Sequence, residues 1–342
     1  MIFVTGGTGM VGAHMLLELV RKGVKVKALR RSSSNLDLTR KIFSFYESNV
    51  DQLFNQIEWV EGDLLDYNSL KNILSDVELV YHAAATVSFQ AQDRNMMLEN
   101  NVDGTANLIN ASLECGVKRF CHVSSVAALG RNENGDPVKE DTMWVPEKRQ
   151  SNYSESKFFS EMEVWRGIHE GMDAVIVNPG IILGPGNWQS GSPLFFTTVW
   201  NGLKYYTRGG TGYVDVRDVV KGMLLLTDDL YWEDVKNKRY VLCAENHTYQ
   251  EIFSSIADAL GKPRPSVFAN ERLLNIGWRL AALKAFLTRT RPVITKETIR
   301  SASNISTYSG KRISDSLSAF SYTPIENTIK DIAGIFLKDH TA

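Results

Sequence analysis

The chain has 342 residues, 43% hydrophobic and 23% charged, with a formal net charge of −1, the balance of a globular protein of about two domains. Near-neutral charge without a basic block excludes the electrostatic footprint of nucleic-acid binding, and a chain of this length needs neither disulfides nor a structural metal to bury a core. Cys115, Cys121 and Cys243 form no CxxC pair and no Cys/His cluster, so no metal site is expected, and reduced thiols in a cytoplasmic protein are. The sequence opens directly on an apolar run and a glycine loop, so neither a signal peptide nor a membrane span is expected.

Short apolar runs predict strands at Ile2–Thr5, Val24–Leu29, Ile57–Val60, Leu79–His82, Phe120–Val123, Ala174–Asn178 and Tyr240–Cys243. Several are nearly continuous in apolar residues, as strands buried on both faces are. Helical patterns lie between most of them, at Met10–Lys22, Asn100–Cys115 and Tyr153–Glu170, with a further helix in Leu38–Tyr46. Strand–helix alternation predicts a parallel sheet with right-handed crossovers. The pattern loosens at Gly180–Thr211, rich in Gly, Pro and aromatics, and from Thr248 onward it is mostly helical, broken by Pro263, Pro265 and Pro292.

Thr5-Gly6-Gly7-Thr8-Gly9-Met10-Val11-Gly12 joins the first strand to the first helix. Gly7, Gly9 and Gly12 fit a dinucleotide fingerprint, and Gly6, Gly9 and Gly12 fit a wider spacing. Such glycines allow a tight turn, close approach of backbone to a pyrophosphate, and packing of helix on sheet. The free N–H groups and positive dipole end of the helix then face the phosphates. An NAD site usually has a carboxylate at the end of the second strand. This chain has Arg30-Arg31-Ser32-Ser33-Ser34 there, which suits the extra phosphate of NADP(H). Glu61 and Asp63 lie too far along to replace that carboxylate, whereas Asp63-Leu64 suits the adenine edge. The predicted division is therefore a dinucleotide-binding domain of residues 1–180 plus 212–243 and a substrate domain of residues 181–211 plus 244–342.

Tyr153 and Lys157 stand four residues apart, on one face of a helix. A nearby cation favours a phenolate and is expected to pull the tyrosine towards neutrality, which equips it to pass a proton to or from a substrate oxygen. Ser124-Ser125 ends the fifth strand, at the sheet edge where open α/β sheets bind ligands.

These residues together resemble the extended short-chain dehydrogenase/reductase family over nearly the whole chain. Thr5–Gly12, with Gly6, Gly9, Met10, Val11 and Gly12, resembles its TGxxGxxG loop. Asp63-Leu64 matches its adenine-contacting pair, and Ala83-Ala84-Ala85 after His82 the stretch that passes the cofactor. Asn101-Val-Asp-Gly-Thr105 resembles its NVxGT helix, Asn178-Pro179 the step beside the nicotinamide, and Tyr213–Asp218 its late VxVxD segment. The order and spacing of these motifs together are specific. The resemblance implies an α/β fold, a doubly wound parallel sheet (Rossmann) with a smaller, mainly helical substrate domain. It implies Ser125, Tyr153 and Lys157 as the catalytic residues. It also implies dimers in some members, through the helices that hold Asn101 and Tyr153.

Departures separate the branches. Val126-Ala127 follow Ser125, where dehydratases usually carry an acid. Thr211-Gly212 stands where many sugar-nucleotide epimerases place a diphosphate-holding arginine, with Arg208 close by and Arg217 further on. The basic turn and the Val123–Gly130 stretch look like the dihydroflavonol-reductase branch of ketone and aldehyde reductases. The expected partner is thus a small-molecule carbonyl compound with apolar surface. The alternatives are a sugar-nucleotide epimerase with retained cofactor and a non-catalytic NADP-sensing protein. Phe89, Trp144, Trp188, Phe195, Phe196 and Trp200 are candidates for an apolar pocket wall, and core packing is the competing role for each. Trp278–Arg291 reads as an amphipathic helix of the second domain, the other readings being a membrane-surface segment or a cover over the substrate.

Overall fold

A computed structural model describes residues 1–132, 135–146, 150–270, 273–274, 278–279, 299 and 302–341. The strands in chain order are β1 (Ile2–Thr5), β2 (Val26–Arg30), β3 (Ile57–Glu61), β4 (Leu79–His82), β5 (Arg119–Val123), β6 (Ala174–Pro179), β7 (Ile181–Leu183), β8 (Tyr205–Tyr206), β9 (Gly210–Asp215), β10 (Lys238–Leu242), β11 (Glu245–Thr248) and β12 (Val267–Phe268). Seven of them form one parallel sheet in the order β3-β2-β1-β4-β5-β6-β10. The order reverses between β1 and β4, and at such a switch point the diverging loops leave a crevice for a ligand.

Side chains along each strand alternate between the two faces, and both faces are covered. Val4, Ala28, Cys121, Val175 and Val177 pack under α1 (Met10–Arg21) and the helix Val216–Leu226. Phe3, Val80, Phe120, Ala174 and Ile176 pack under Leu70, Leu108, Ile109 and Val164 of the helices Tyr67–Ile73, Gly104–Cys115 and Asn152–His169. Each fully buried aliphatic side chain contributes roughly 1.5–3 kcal/mol, so the three layers are held mainly by this apolar fit. A Cβ on Gly167 would lie 2.6 Å from Ile109, so glycine at that position lets the last two of these helices pack closely.

The second unit has its own core. Leu183, Trp188, Phe196 and Tyr213 meet Ile252, Ile256, Ile329, Ile332 and Phe336, which come from the helices Tyr249–Ala259 and Ile325–Thr341. These helices cover a three-stranded sheet, β11-β9-β7, while β8 and β12 form a separate parallel pair. The predicted helical character thus holds around a small sheet that the sequence pattern did not reveal. β9 begins Gly-Thr-Gly and β11 reads Glu-Asn-His-Thr, so neither is an apolar run. Along the chain the two units interleave: Ile313, Leu317 and Phe320 pack into the core of the large sheet. Apart from Trp278 and Arg279, the Trp278–Arg291 segment lies outside the described residues. Among the described residues no helix is long and apolar enough to cross a membrane, and no His, Cys, Asp or Glu cluster is placed to hold a metal.

Candidate active site

β1 ends at the switch point, and Gly6 follows with φ +73°. A Cβ there would lie 2.6 Å from the Ala83 and Ala84 backbone, so the turn needs glycine both for its dihedral angle and for the approach of the β4 loop. Gly12 faces the Gly6 carbonyl so closely that a Cβ has no room, whereas a Cβ on Gly9 would meet only Gly6 O, at 3.4 Å. Gly9 caps α1 without a side-chain partner, leaving the first N–H groups of that helix for an anion. Backbone contacts thus require glycine at Gly6 and Gly12, while Gly9 stands at the helix cap. Gly7 instead makes room for the Leu16 side chain.

A cleft of about 230 Å³ runs from Gly6 and Gly9 past Asp63, Leu64 and the Ala83–Ala85 stretch to Asn101, with Arg31 and Ser34 on its rim. Asp63 Oδ1 accepts from Leu65 N at 3.0 Å, which holds that turn in shape. The two arginines separate. Arg31 is exposed at the cleft and forms no ion pair among the described residues, while Arg30 reaches Glu61 at 3.5 Å. Met10 and Val11 open α1 but do not line the cleft, and Pro179 lies buried at the end of β6. A donor-rich loop and a helix N-terminus fit the pyrophosphate of a dinucleotide, and the Arg31 guanidinium lies beside them. Thr8, Leu29, Thr86 and Asn100 also line the cleft. Thr8 belongs to the glycine loop, whereas Leu29, Thr86 and Asn100 belong to no motif and reach the cleft from β2, the loop after β4 and the turn Glu99–Asp103.

Asn101 sits on a π-helical turn, Glu99–Asp103, that forms the start of the predicted Asn100–Cys115 helix. Its amide donates to Thr86 O and Ser156 Oγ and accepts from Thr86 N at 2.7 Å. It therefore stitches the loop after β4 to the helix that carries Tyr153. Beneath it, His82 bridges Thr5 and Thr105 at 2.7 and 2.9 Å. Burial lowers this imidazole to about 3, so it is a neutral structural link at neutral pH.

Ser151 caps the helix Asn152–His169 by accepting from Ser154 N, and Ser154 Oγ donates to Ala127 O at 2.5 Å. These two bonds set Tyr153 over the end of β5, beside Ser125. Burial raises the Tyr153 phenol, opposed by a hydrogen bond with Ser125. The expected depression by Lys157 does not dominate. Lys157 is itself buried, its Nζ donates to Val123 O at 2.9 Å, and burial lowers it to about 8, opposed by Glu161. The trio is thus a protonated phenol, a hydroxyl beside it and an ammonium behind it.

The NAD dependent epimerase/dehydratase family model matches residues 2–243. The chain belongs to that family. A Synechocystis sp. relative that carries the name of a dihydroflavonol 4-reductase is 32% identical over 265 residues, 77% of this chain and 73% of that one. Sterol demethylase protein B of Methylococcus capsulatus is 32% identical over 275 residues (79% and 78%). Cinnamoyl-CoA reductase 1 of Petunia hybrida is 29% identical over 314 residues (84% and 90%). The crystal structure of gox2253 superposes with a TM-score of 0.78 at 28% identity, covering 99% of this chain and 98% of that one.

Within this epimerase/dehydratase scaffold the predicted pocket aromatics disperse. Phe89 meets the Tyr153 ring at 6.1 Å. Trp188 and Phe196 are core of the second unit, and Trp188 Nε1 donates to Asp339. Trp144 stacks on Phe158, Phe195 meets Phe253, and Trp200 lies under Lys262. Arg208 stacks on Phe268, and Arg217 pairs with Asp215 and Asp331, so both guanidinium groups are engaged elsewhere. Most of the predicted cover, Leu273–Leu287, lies outside the described residues.

Proposed function

We propose that the protein is an NADP(H)-dependent reductase acting on the carbonyl of a largely apolar small molecule. The observation that carries this reading is the buried Tyr153 phenol beside Ser125, with buried Lys157 one turn along the same helix, at the same sheet edge as the glycine-loop cleft. The cofactor is assigned to Gly6, Gly9, Met10, Val11, Gly12, Arg31, Asp63, Leu64, Ala83–Ala85, Asn101 and Pro179. Bound there, it supplies the hydride. Ser125 polarises the substrate oxygen, and Tyr153 donates the proton that turns it into a hydroxyl. A phenol whose pKa is raised by burial carries that proton at neutral pH. Lys157 supplies positive charge to the phenolate left behind and a donor to the nicotinamide ribose. The substrate lies between the dinucleotide-binding unit, residues 1–180 plus 212–243, and the second unit. Its apolar character is supported by Phe89 at the tyrosine and by the engagement of Arg208 and Arg217 elsewhere. Three cysteines without disulfide partners support a cytoplasmic setting.

The test is a thermal-shift and NADPH-oxidation panel of aryl and alkyl aldehydes and ketones alongside UDP-, GDP- and dTDP-sugars, for the wild type and Tyr153→Phe. The expected result is turnover of carbonyl compounds that falls by roughly two to four orders of magnitude in Tyr153→Phe, with NADPH still bound. Response confined to sugar nucleotides, or full turnover by Tyr153→Phe, overturns the reading.

A further inference from the structure

One turn beyond Lys157 on the same helix, Glu161 is 2% exposed. Burying a carboxylate is costly unless donors surround it, and here four converge. Oε2 accepts from Ser124 Oγ at 2.6 Å and from Asn178 Nδ2 at 2.7 Å. Oε1 accepts from Arg239 at 2.9 Å and from Trp165 Nε1 at 3.2 Å. Ser124 follows β5, Asn178 lies on β6 and Arg239 on β10, so one side chain ties the helix to three neighbouring strands. Asn178 Nδ2 also donates to the Ser125 carbonyl at 3.0 Å. The bonds therefore run from Glu161 to both residues of the Ser124-Ser125 step.

We propose that Glu161 is a positioning residue of this site: its carboxylate holds the Ser125 backbone in register with Tyr153 and supplies the negative charge facing the Lys157 ammonium. The proposal rests on the reductase reading above. A shell that fixes its reacting groups within about half an ångström keeps their geometry productive.

The charged and titratable groups around Lys157 come from several elements. Tyr153 shares its helix, and His122 on β5 and His82 on β4 are held neutral by burial. Glu161 is the carboxylate, with Arg239 on its far side. Burial lowers Lys157 and Glu161 opposes it. Without the carboxylate charge, Lys157 gives up its proton at a lower pH.

The test is Glu161→Gln in the full chain. NADPH affinity, read by fluorescence from pH 6 to 9, needs no substrate. Turnover is read with 4-nitrobenzaldehyde. The pH at which NADPH binding weakens is expected to move down by about one unit, and kcat to fall by about tenfold or more with KM changed less than roughly threefold. Glu161→Asp, which keeps the charge, is expected to restore the pH midpoint. A Gln variant with the wild-type midpoint and kcat overturns the proposal. So does one that only melts earlier with the pH profile intact. If the Gln variant does not fold, Ser124→Ala removes one donor and keeps the charge. A lowered kcat with an unmoved midpoint is then expected, and an unchanged kcat overturns the proposal. Tyr153→Phe separates the two ideas. Full turnover in that variant sinks the reductase reading, whereas its inactivity beside a wild-type-like Glu161→Gln sinks the positioning role alone.

Discussion

A guanidinium serves an incoming phosphate when no carboxylate already occupies it. Arg30 and Arg31 are adjacent in sequence and point to different partners, because successive residues at a strand end face opposite ways. Arg30 turns to Glu61 across the β2–β3 ladder, where the two residues stand in register. Arg31 leaves the strand at the cleft, where Ser34 Oγ accepts from its backbone N–H at 3.0 Å. The expected outcome is that Arg31→Ala weakens NADPH by about tenfold or more, since a charge-assisted contact to phosphate is worth roughly 1.5–3 kcal/mol, and leaves NADH unchanged. Arg30→Ala is expected to change either cofactor much less. Fluorescence titration of both cofactors decides it, and equal losses in the two variants contradict the division of labour.

At the scale of elements, the helix Asn152–His169 has two working faces. Its inner face holds Lys157 and Glu161 against the sheet. Its outer face exposes Phe159 (41%) and Met162 (45%), three residues apart and therefore neighbours on the surface. Met96, on the adjoining helix Arg94–Leu98, is exposed as well, and Arg94 pairs with Glu155 to join the two helices. Adjacent apolar side chains in water favour association, and this helix is one of those through which the resemblance implies dimers in some members. Light scattering after size exclusion is expected to find a dimer for the wild type and a monomer for Phe159→Asp/Met162→Glu. A wild-type monomer at tens of micromolar excludes this interface.

The whole molecule carries a pH dependence built from buried histidines. His82 is lowered to about 3 and His14 to about 4, both by burial. Between pH 6.5 and these values the unfolded chain takes up protons that the folded one refuses. This contribution to stability is therefore complete above pH 6.5 and is lost as the pH falls. His82 accounts for about 3 kcal/mol of that loss by pH 4. The urea midpoint is expected to drop between pH 7 and pH 4, and His82→Gln to lower the midpoint at pH 7 while flattening its slope. A slope equal to that of the wild type removes His82 from the explanation. The same scale joins the two units. The helix Asp37–Ser44 bonds the glycine loop through Thr39 Oγ1 to Gly7 O at 3.0 Å and meets the C-terminal helix through Lys41–Asp339 at 2.7 Å.

Sequence alone determined the strands of the large sheet, because strands buried on both faces need nearly unbroken apolar runs, and β1, β4 and β6 each open on three or four apolar residues. It also named Gly6, Gly9, Gly12, Tyr153 and Lys157 as candidates, since each belongs to a local pattern of fixed spacing, and Ser125 from its place at the end of β5. What it left undecided depends on neighbours distant in the chain. Whether Arg30 or Arg31 is free depends on Glu61 in the adjacent strand. Which way the Tyr153 phenol shifts depends on how dry its surroundings are, and one Lys157 N–H goes to the Val123 carbonyl. Trp188 and Phe196 could be pocket wall or core by sequence and are core in the fold, because aromatic character does not encode which side of a sheet a loop covers. Glu161 stands four residues after Lys157 in plain view. Its weight came only when β5, β6 and β10 folded alongside and brought Ser124, Asn178 and Arg239 to one carboxylate.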